Sequence, residues 1–207
     1  MLNVAVTYIQ GPVGQLEALV NPPPAVGQPV VIICHPHPLY GGTMHNKVVT
    51  TLARAFSELD MGTVRFNYRG VGQSVGSYGE GIGETEDGIA IFNWVKQQFP
   101  ASPVWVAGFS FGCYVAAGLA AKYPDIKQLV TIAPAVNHAD FTGFTSVQCP
   151  WLLIMGDADE IVPVADVQAW VAHFPLPIKT YYLPGVSHFF HGQLGLLRET
   201  VQKALRG

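Results

Sequence analysis

The sequence predicts an α/β fold: a mainly parallel sheet of about eight strands, opened by an antiparallel N-terminal hairpin, with helices on both faces. Three observations predict it. Short continuous apolar runs such as Val30–Cys34 and Pro150–Met155 have the length of strands buried on both faces. These runs alternate with segments of helical period, the order that builds parallel sheets. The 207 residues are 49% hydrophobic and only 12% charged, which suits a chain that covers both sides of a sheet.

In order, Val4–Ile9 and Gln15–Val20 alternate as strands and read as a hairpin through Gly11–Gly14. The Pro-rich stretch Asn21–Pro29 has too few residues before it for a domain of their own, so it reads as a loop, and the chain as one domain over 1–207. Val30–Cys34 is a buried strand. Lys47–Leu59 places Val48, Leu52, Ala55, Phe56 and Leu59 on one helical face. Thr63–Asn67 is a strand, and Thr85–Gln98 a helix with Ile89, Phe92 and Val95 inward. Pro103–Ala107 is a strand, Phe111–Tyr123 an Ala- and Gly-rich helix, Lys127–Ala133 a strand. Pro150–Met155 is a strand, Val164–Phe174 a helix, Ile178–Leu183 a strand and Leu194–Leu205 a closing helix.

Composition excludes several functions. The formal net charge is −3 and no Lys/Arg cluster is visible, so no basic face offers itself to nucleic acid. Met1–Gln10 has no positive region followed by an apolar one, as a signal peptide would, and no apolar run approaches the ~20 residues that span a bilayer. Cys34, Cys113 and Cys149 are an odd number and each lies in or beside an apolar element, as free thiols in a reducing compartment would. The expectation is a cytoplasmic protein, a monomer or homodimer, with a small molecule as partner and no membrane.

In parallel sheets the chemistry gathers at the carboxyl ends of the strands. Gly108-Phe109-Ser110-Phe111-Gly112 joins the strand Pro103–Ala107 to the next helix in a G-x-S-x-G arrangement. A strand that turns directly into a helix forces its middle residue to positive φ, and side chains two places either side collide, so glycine is needed at Gly108 and Gly112. The Ser110 hydroxyl is left exposed at a helix N-terminus, with the N–H of Phe111 free to meet an oxyanion. A serine hydroxyl also needs a base. Three acids, Asp157, Asp159 and Glu160, follow the strand Pro150–Met155, and His188 and His191 follow Ile178–Leu183.

At these positions the chain resembles the α/β-hydrolase family. Gly156-Asp157-Ala158-Asp159-Glu160-Ile161-Val162-Pro163 matches its G-x-x-D-x-x-V-P pattern, with Asp159 as the acid, Asp157 next in line and Glu160 third. His188 matches the family's base in the loop after the last strand, with His191 as the alternative. The corresponding oxyanion loop is His35-Pro36-His37-Pro38-Leu39-Tyr40-Gly41-Gly42, where Pro36 replaces the family's glycine. Pro36 and Pro38 have no N–H. His37 can donate between them and matches the family's donor position, with Leu39 and Tyr40 behind it. The start H-P-H-P-x-x-G-G is similar to small, cap-poor bacterial serine hydrolases related to dienelactone hydrolases, which themselves use cysteine.

The resemblance implies hydrolysis of carboxylic esters of small or medium acyl groups through an acyl-enzyme, with no cofactor and no metal. Asn137–Gln148, where relatives insert a cap, is only about a dozen residues, so the site should be open. Tyr40, Phe141, Phe144 and Phe189, with Phe111, are the aromatics placed to line an acyl pocket. Rival readings are a thioesterase, acyltransferase or peptidase with the same residues, a metal-dependent hydrolase built on His35 and His37, and a non-catalytic binding module. Ser74 is a rival nucleophile. Gly70-Val71-Gly72 does not open a dinucleotide loop, since the next glycine, Gly76, falls one place late.

Overall fold

A computed structural model of the chain describes residues 5–206. Val4, with which the expected first strand begins, lies outside them. Eight strands form one sheet: β1 (Ala5–Gln10), β2 (Gln15–Asn21), β3 (Val30–Cys34), β4 (Gly62–Phe66), β5 (Val104–Phe109), β6 (Leu129–Ile132), β7 (Trp151–Gly156) and β8 (Ile178–Leu183). The helices are α1 (Lys47–Ser57), α2 (Ile82–Gln98), α3 (Phe111–Lys122), α4 (Val164–His173) and α5 (Leu194–Arg206), with a single 3₁₀ turn at Pro38–Tyr40. The strand order is β1-β2-β4-β3-β5-β6-β7-β8. β1 and β2 form the antiparallel hairpin, β2 meets β4 antiparallel, and every pairing from β4 through β8 is parallel.

Strand period explains the layers, because successive side chains point to opposite faces. Val30, Ile32 and Cys34 of β3 enter one core with Ile91, Phe92 and Val95 of α2 and Val115 and Leu119 of α3. Val31 and Ile33 enter the other with Leu52 and Phe56 of α1 and Leu197 and Val201 of α5. All five residues of β3 are buried, so this strand must be apolar throughout. Each large side chain so placed contributes about 1.5–3 kcal/mol relative to exposure.

Element ends follow local chemistry. α1 begins where Asn46 Oδ1 accepts from the N–H of Val48 at 2.8 Å, a side-chain cap. α2 begins at Ile82, three residues before the expected Thr85, because the Glu84 carboxylate already satisfies the N–H groups of Gly79 and Gly81. β5 runs two residues past the expected Ala107, since Gly108 and Phe109 keep the β6 register before the chain turns.

The order of connection fixes where a site belongs. From β3 the chain crosses to β4 on one side, then returns to β5 on the other. Loops leaving β3 and β5 therefore diverge and open a crevice at their carboxyl ends. Ser110 follows β5 and His35–His37 follow β3.

Candidate active site

Ser110 occupies a strained turn. It has φ 54° and ψ −119°, the positive-φ conformation that the direct strand-to-helix passage demands. The two glycines are required by close backbone approach. A Cβ on Gly108 would lie 2.2 Å from the carbonyl oxygen of Gly112, and one on Gly112 would lie 2.3 Å from that of Cys34. The strain is held by hydrogen bonds on both sides: Ser110 N–H donates to Ile132 O at 2.9 Å, and Cys113 N–H donates to Ser110 O at 3.0 Å. Phe111 is the first residue of α3, and among the described residues its N–H has no hydrogen-bond acceptor.

The loops after β7 and β8 touch because Gly156 leaves room: a Cβ there would meet Val186 O at 1.9 Å. Across that contact Asp159 Oδ2 lies 2.7 Å from His188 Nδ1, with both residues buried. A carboxylate only accepts, so Nδ1 carries the proton and Nε2 is left as a base. The other Asp159 oxygen accepts from the N–H groups of Ile161 at 2.9 Å and Val162 at 2.8 Å, which fixes the carboxylate plane. The neighbouring acids do other things. Asp157 accepts from Gly185 N–H at 2.7 Å, and Glu160 accepts from the backbone N–H of His188 at 3.1 Å. Only Asp159 reaches the imidazole of His188. His191 is exposed and its ring packs beside Phe189. Ser110 and His188 line the same pocket, but no hydrogen bond joins the Ser110 hydroxyl to the imidazole in this structure.

The loop after β3 turns back sharply. His37 O accepts from both Tyr40 N–H at 3.2 Å and Gly42 N–H at 3.0 Å, and a Cβ on Gly42 would meet Pro36 O at 2.1 Å. The N–H of His37, like that of Phe111, has no acceptor among the described residues. His35 is fully buried: Nδ1 lies 2.7 Å from Pro36 O and Nε2 accepts from Tyr68 N–H at 3.2 Å. Both ring nitrogens are therefore spent on the fold and neither is free to ligate a metal. Burial pulls its pKa down to about 3, against the Pro36 carbonyl, which favours the proton. The rival nucleophile Ser74 is likewise occupied, accepting from Glu17 N–H at 2.9 Å and donating to Asn67 O at 2.7 Å. The thiols are free, and burial pushes Cys34 up to about 12 and Cys149 up to about 11.

A pocket of about 790 Å³ opens over Ser110 and His188. Of the aromatics expected in it, Tyr40, Phe111 and Phe189 are in its lining. Phe141 and Phe144 are not, which corrects the sequence reading. Phe141 is buried in the core against Trp170, and Phe144 packs edge-on against Phe141, both behind the ring of Tyr114. Tyr114 faces the pocket in their place. Sequence reasoning also missed Tyr78 and Glu80, which reach the pocket from the loop between β4 and α2, and His138 and Asp140 from the short segment before β7. A signal for Tyr114 was present: it is the first bulky residue after the G-x-S-x-G motif, one helical turn beyond Ser110.

Residues 27–146 match the family described as Serine aminopeptidase, S33 (Hydrolase_4), and the chain belongs to that serine hydrolase family. An α/β serine hydrolase homologue from Coxiella burnetii is 47% identical and superposes with a TM-score of 0.94 over 99% of this chain and 98% of its own. An α/β serine hydrolase without a lid from Xanthomonas campestris is 43% identical, with a TM-score of 0.91 over 98% of this chain and 94% of its own. Among curated proteins, an uncharacterized protein of Rickettsia prowazekii is 34% identical over 88% of this chain and 81% of its own length. The lysophosphatidylserine lipase ABHD12 of Rattus norvegicus is 33% identical over 87% of this chain, which spans about half (54%) of that longer protein. The fold is thus that of the cap-poor α/β serine hydrolases. Among the described residues no helix is long and apolar enough to cross a membrane.

Proposed function

We propose that the protein hydrolyses carboxylic esters of small or medium acyl groups through an acyl-enzyme on Ser110. His188 Nε2 takes the Ser110 proton as the hydroxyl oxygen attacks the ester carbonyl, and Asp159 holds the ring and its tautomer. The N–H groups of Phe111 and His37 receive the oxyanion, at about 3 kcal/mol of barrier lowering for each donor. The imidazolium then protonates the departing alcohol. Water repeats the sequence on the acyl carbonyl, which frees the acid and returns the proton to Ser110.

The observation that carries this reading is a convergence. A strained serine, an imidazole held from behind by the buried Asp159, and two N–H groups without acceptors among the described residues border one pocket. The hydroxyl–imidazole bond left open here is the one this reading expects to close in the reacting complex, where such bonds tighten. The lipase activity in the name of the rat relative is also ester cleavage.

The test is a fluorophosphonate probe and a series of p-nitrophenyl esters of graded acyl length. Labelling of the native chain that disappears in Ser110→Ala, together with Ser110-dependent ester turnover, is expected. A folded wild-type chain that takes no probe and cleaves no ester of the series overturns the reading.

A further inference from the structure

Two loops from different strands meet at the ring of His37. From its own loop, the Leu39 N–H donates to His37 Nδ1 at 3.2 Å. A backbone N–H only donates, so Nδ1 is unprotonated and the proton of the neutral ring sits on Nε2. Nε2 lies 3.2 Å from the hydroxyl oxygen of Tyr78, which belongs to the loop between β4 and α2. The ring's Nε2–H therefore donates to Tyr78. The same imidazole packs between aromatic rings, with centroids 4.8 Å from Phe111, 4.8 Å from Tyr40 and 5.0 Å from Tyr78.

Tyr78 is itself held. The Glu84 carboxylate is fully buried and takes the N–H groups of Gly79 at 2.9 Å and Gly81 at 2.7 Å. Gly83 packs against the Arg69 guanidinium, where a Cβ would meet Nη1 at 2.6 Å. Arg69 is fixed in turn by Asp87, with Nη2 and Nε at 2.8 Å and 3.0 Å from Oδ1. A carboxylate buried under a loop of glycines is an expensive device for a surface connection. It anchors the backbone that directly follows Tyr78.

We propose that Tyr78 is a positioning residue for the oxyanion site: its hydroxyl, carried on a loop that Glu84 anchors at Gly79 and Gly81, accepts from His37 Nε2–H and so aims the backbone N–H of His37. This inference rests on the hydrolase reading above and adds to it a second loop that sets the geometry of the donor. Burial keeps the His37 imidazole below its ordinary value. The Glu84 carboxylate acts against that shift and His138 acts with it, and the neutral ring is the form this clamp needs.

The test uses the full chain with p-nitrophenyl butyrate and a trifluoromethyl ketone that mimics the tetrahedral adduct. A donor misaimed by loss of one hydrogen bond lowers transition-state stabilisation and leaves ground-state binding alone. In Tyr78→Phe, kcat is expected to fall about 3- to 30-fold with KM within about twofold. Affinity for the ketone should fall by the same factor as kcat/KM. His37→Asn supplies the second arm. Its side-chain oxygen still accepts from Leu39 N–H as a cap but is too short to reach Tyr78. It should lose as much as Tyr78→Phe, and the double variant no more than either alone. Wild-type kcat in Tyr78→Phe, a change confined to KM, or additive losses in the double variant overturns the inference and leaves the hydrolase reading standing. A wild-type chain inert to esters and to fluorophosphonate brings down both.

Discussion

His188 Nδ1 lies 2.7 Å from Asp159 Oδ2, with both side chains buried, and this contact joins two loops that leave adjacent parallel strands. It defines what each acid of the 157–160 segment does. Replacing Asp159 with Asn keeps an oxygen for the N–H groups of Ile161 and Val162, so the loop should stay folded. The new amide turns a donor towards Nδ1, however, and drives the proton to Nε2, where the ring can no longer act as base. Asp159→Asn is expected to lower kcat roughly a thousandfold to ten-thousandfold, by analogy with the corresponding change in a Ser-His-Asp protease. Asp157→Asn keeps an oxygen for Gly185 N–H and should stay within about threefold of wild type, as expected for an exposed site. Steady-state kinetics on one activated ester checks both, and equal losses in the two variants would contradict the assignment.

The turn at Ser110 makes a separate prediction about stability. A methyl group on Gly108 or Gly112 meets backbone oxygens at 2.2 and 2.3 Å, and backbone cannot swing aside as a flexible side chain can. Gly108→Ala and Gly112→Ala should each cost about 3 kcal/mol or more. By contrast, Ser110→Ala should keep the wild-type fold, because its hydroxyl makes no hydrogen bond that the fold uses. Urea unfolding of the three variants separates these expectations: a Gly112→Ala protein as stable as wild type would show that the turn can relax.

Much of this arrangement was legible in the sequence, and the reasons differ from element to element. The strand and helix order was readable because period and burial are local: β3 is apolar at every position, and it is buried at every position. Gly108, Ser110 and Gly112 were readable because one local geometry demands them. Asp159 was singled out from its neighbours only through the family resemblance, and what Asp157 and Glu160 do instead was not readable, because it depends on which atoms the β8 loop brings near. Phe141 and Phe144 were misplaced for a similar reason: an aromatic reads the same whether it fills a core or lines a pocket, and here Trp170 and Tyr114 claim both rings. Tyr78 and Glu84 stayed hidden because their partners, at His37, Gly79 and Gly81, give no periodic signal.

His35 links pH to folding. Its folded pKa of about 3 lies below the 6.5 of an ordinary imidazole, mainly because of burial. Between those values the unfolded chain binds a proton that the folded chain refuses. The stability contributed by the neutral ring is thus complete above pH 6.5 and is lost as pH falls through this window, at up to about 1.4 kcal/mol per pH unit. In His35→Gln that proton is absent. Its unfolding free energy should fall less steeply than that of wild type from about pH 6.5 to about pH 4.5, although it starts lower. Chemical denaturation across that range gives the two slopes, and parallel slopes would mean that His35 titrates normally in the fold.

The pocket's charge sets the last expectation. Its lining holds Glu80 and Asp140 and, among the described residues, no Lys or Arg. Both carboxylates are exposed, so their fields are screened and each contributes modestly. An ester whose acyl group carries a carboxylate, such as a p-nitrophenyl hemisuccinate, should therefore be a poorer substrate than the neutral butyrate. The gap should narrow by about two- to fivefold in Glu80→Gln at low ionic strength. Added salt should shrink it in wild type as well, because the penalty is Coulombic. If the ratio of kcat/KM for the two esters is indifferent to both salt and Glu80→Gln, the selectivity comes instead from the shape of the wall formed by Tyr114 and Phe189.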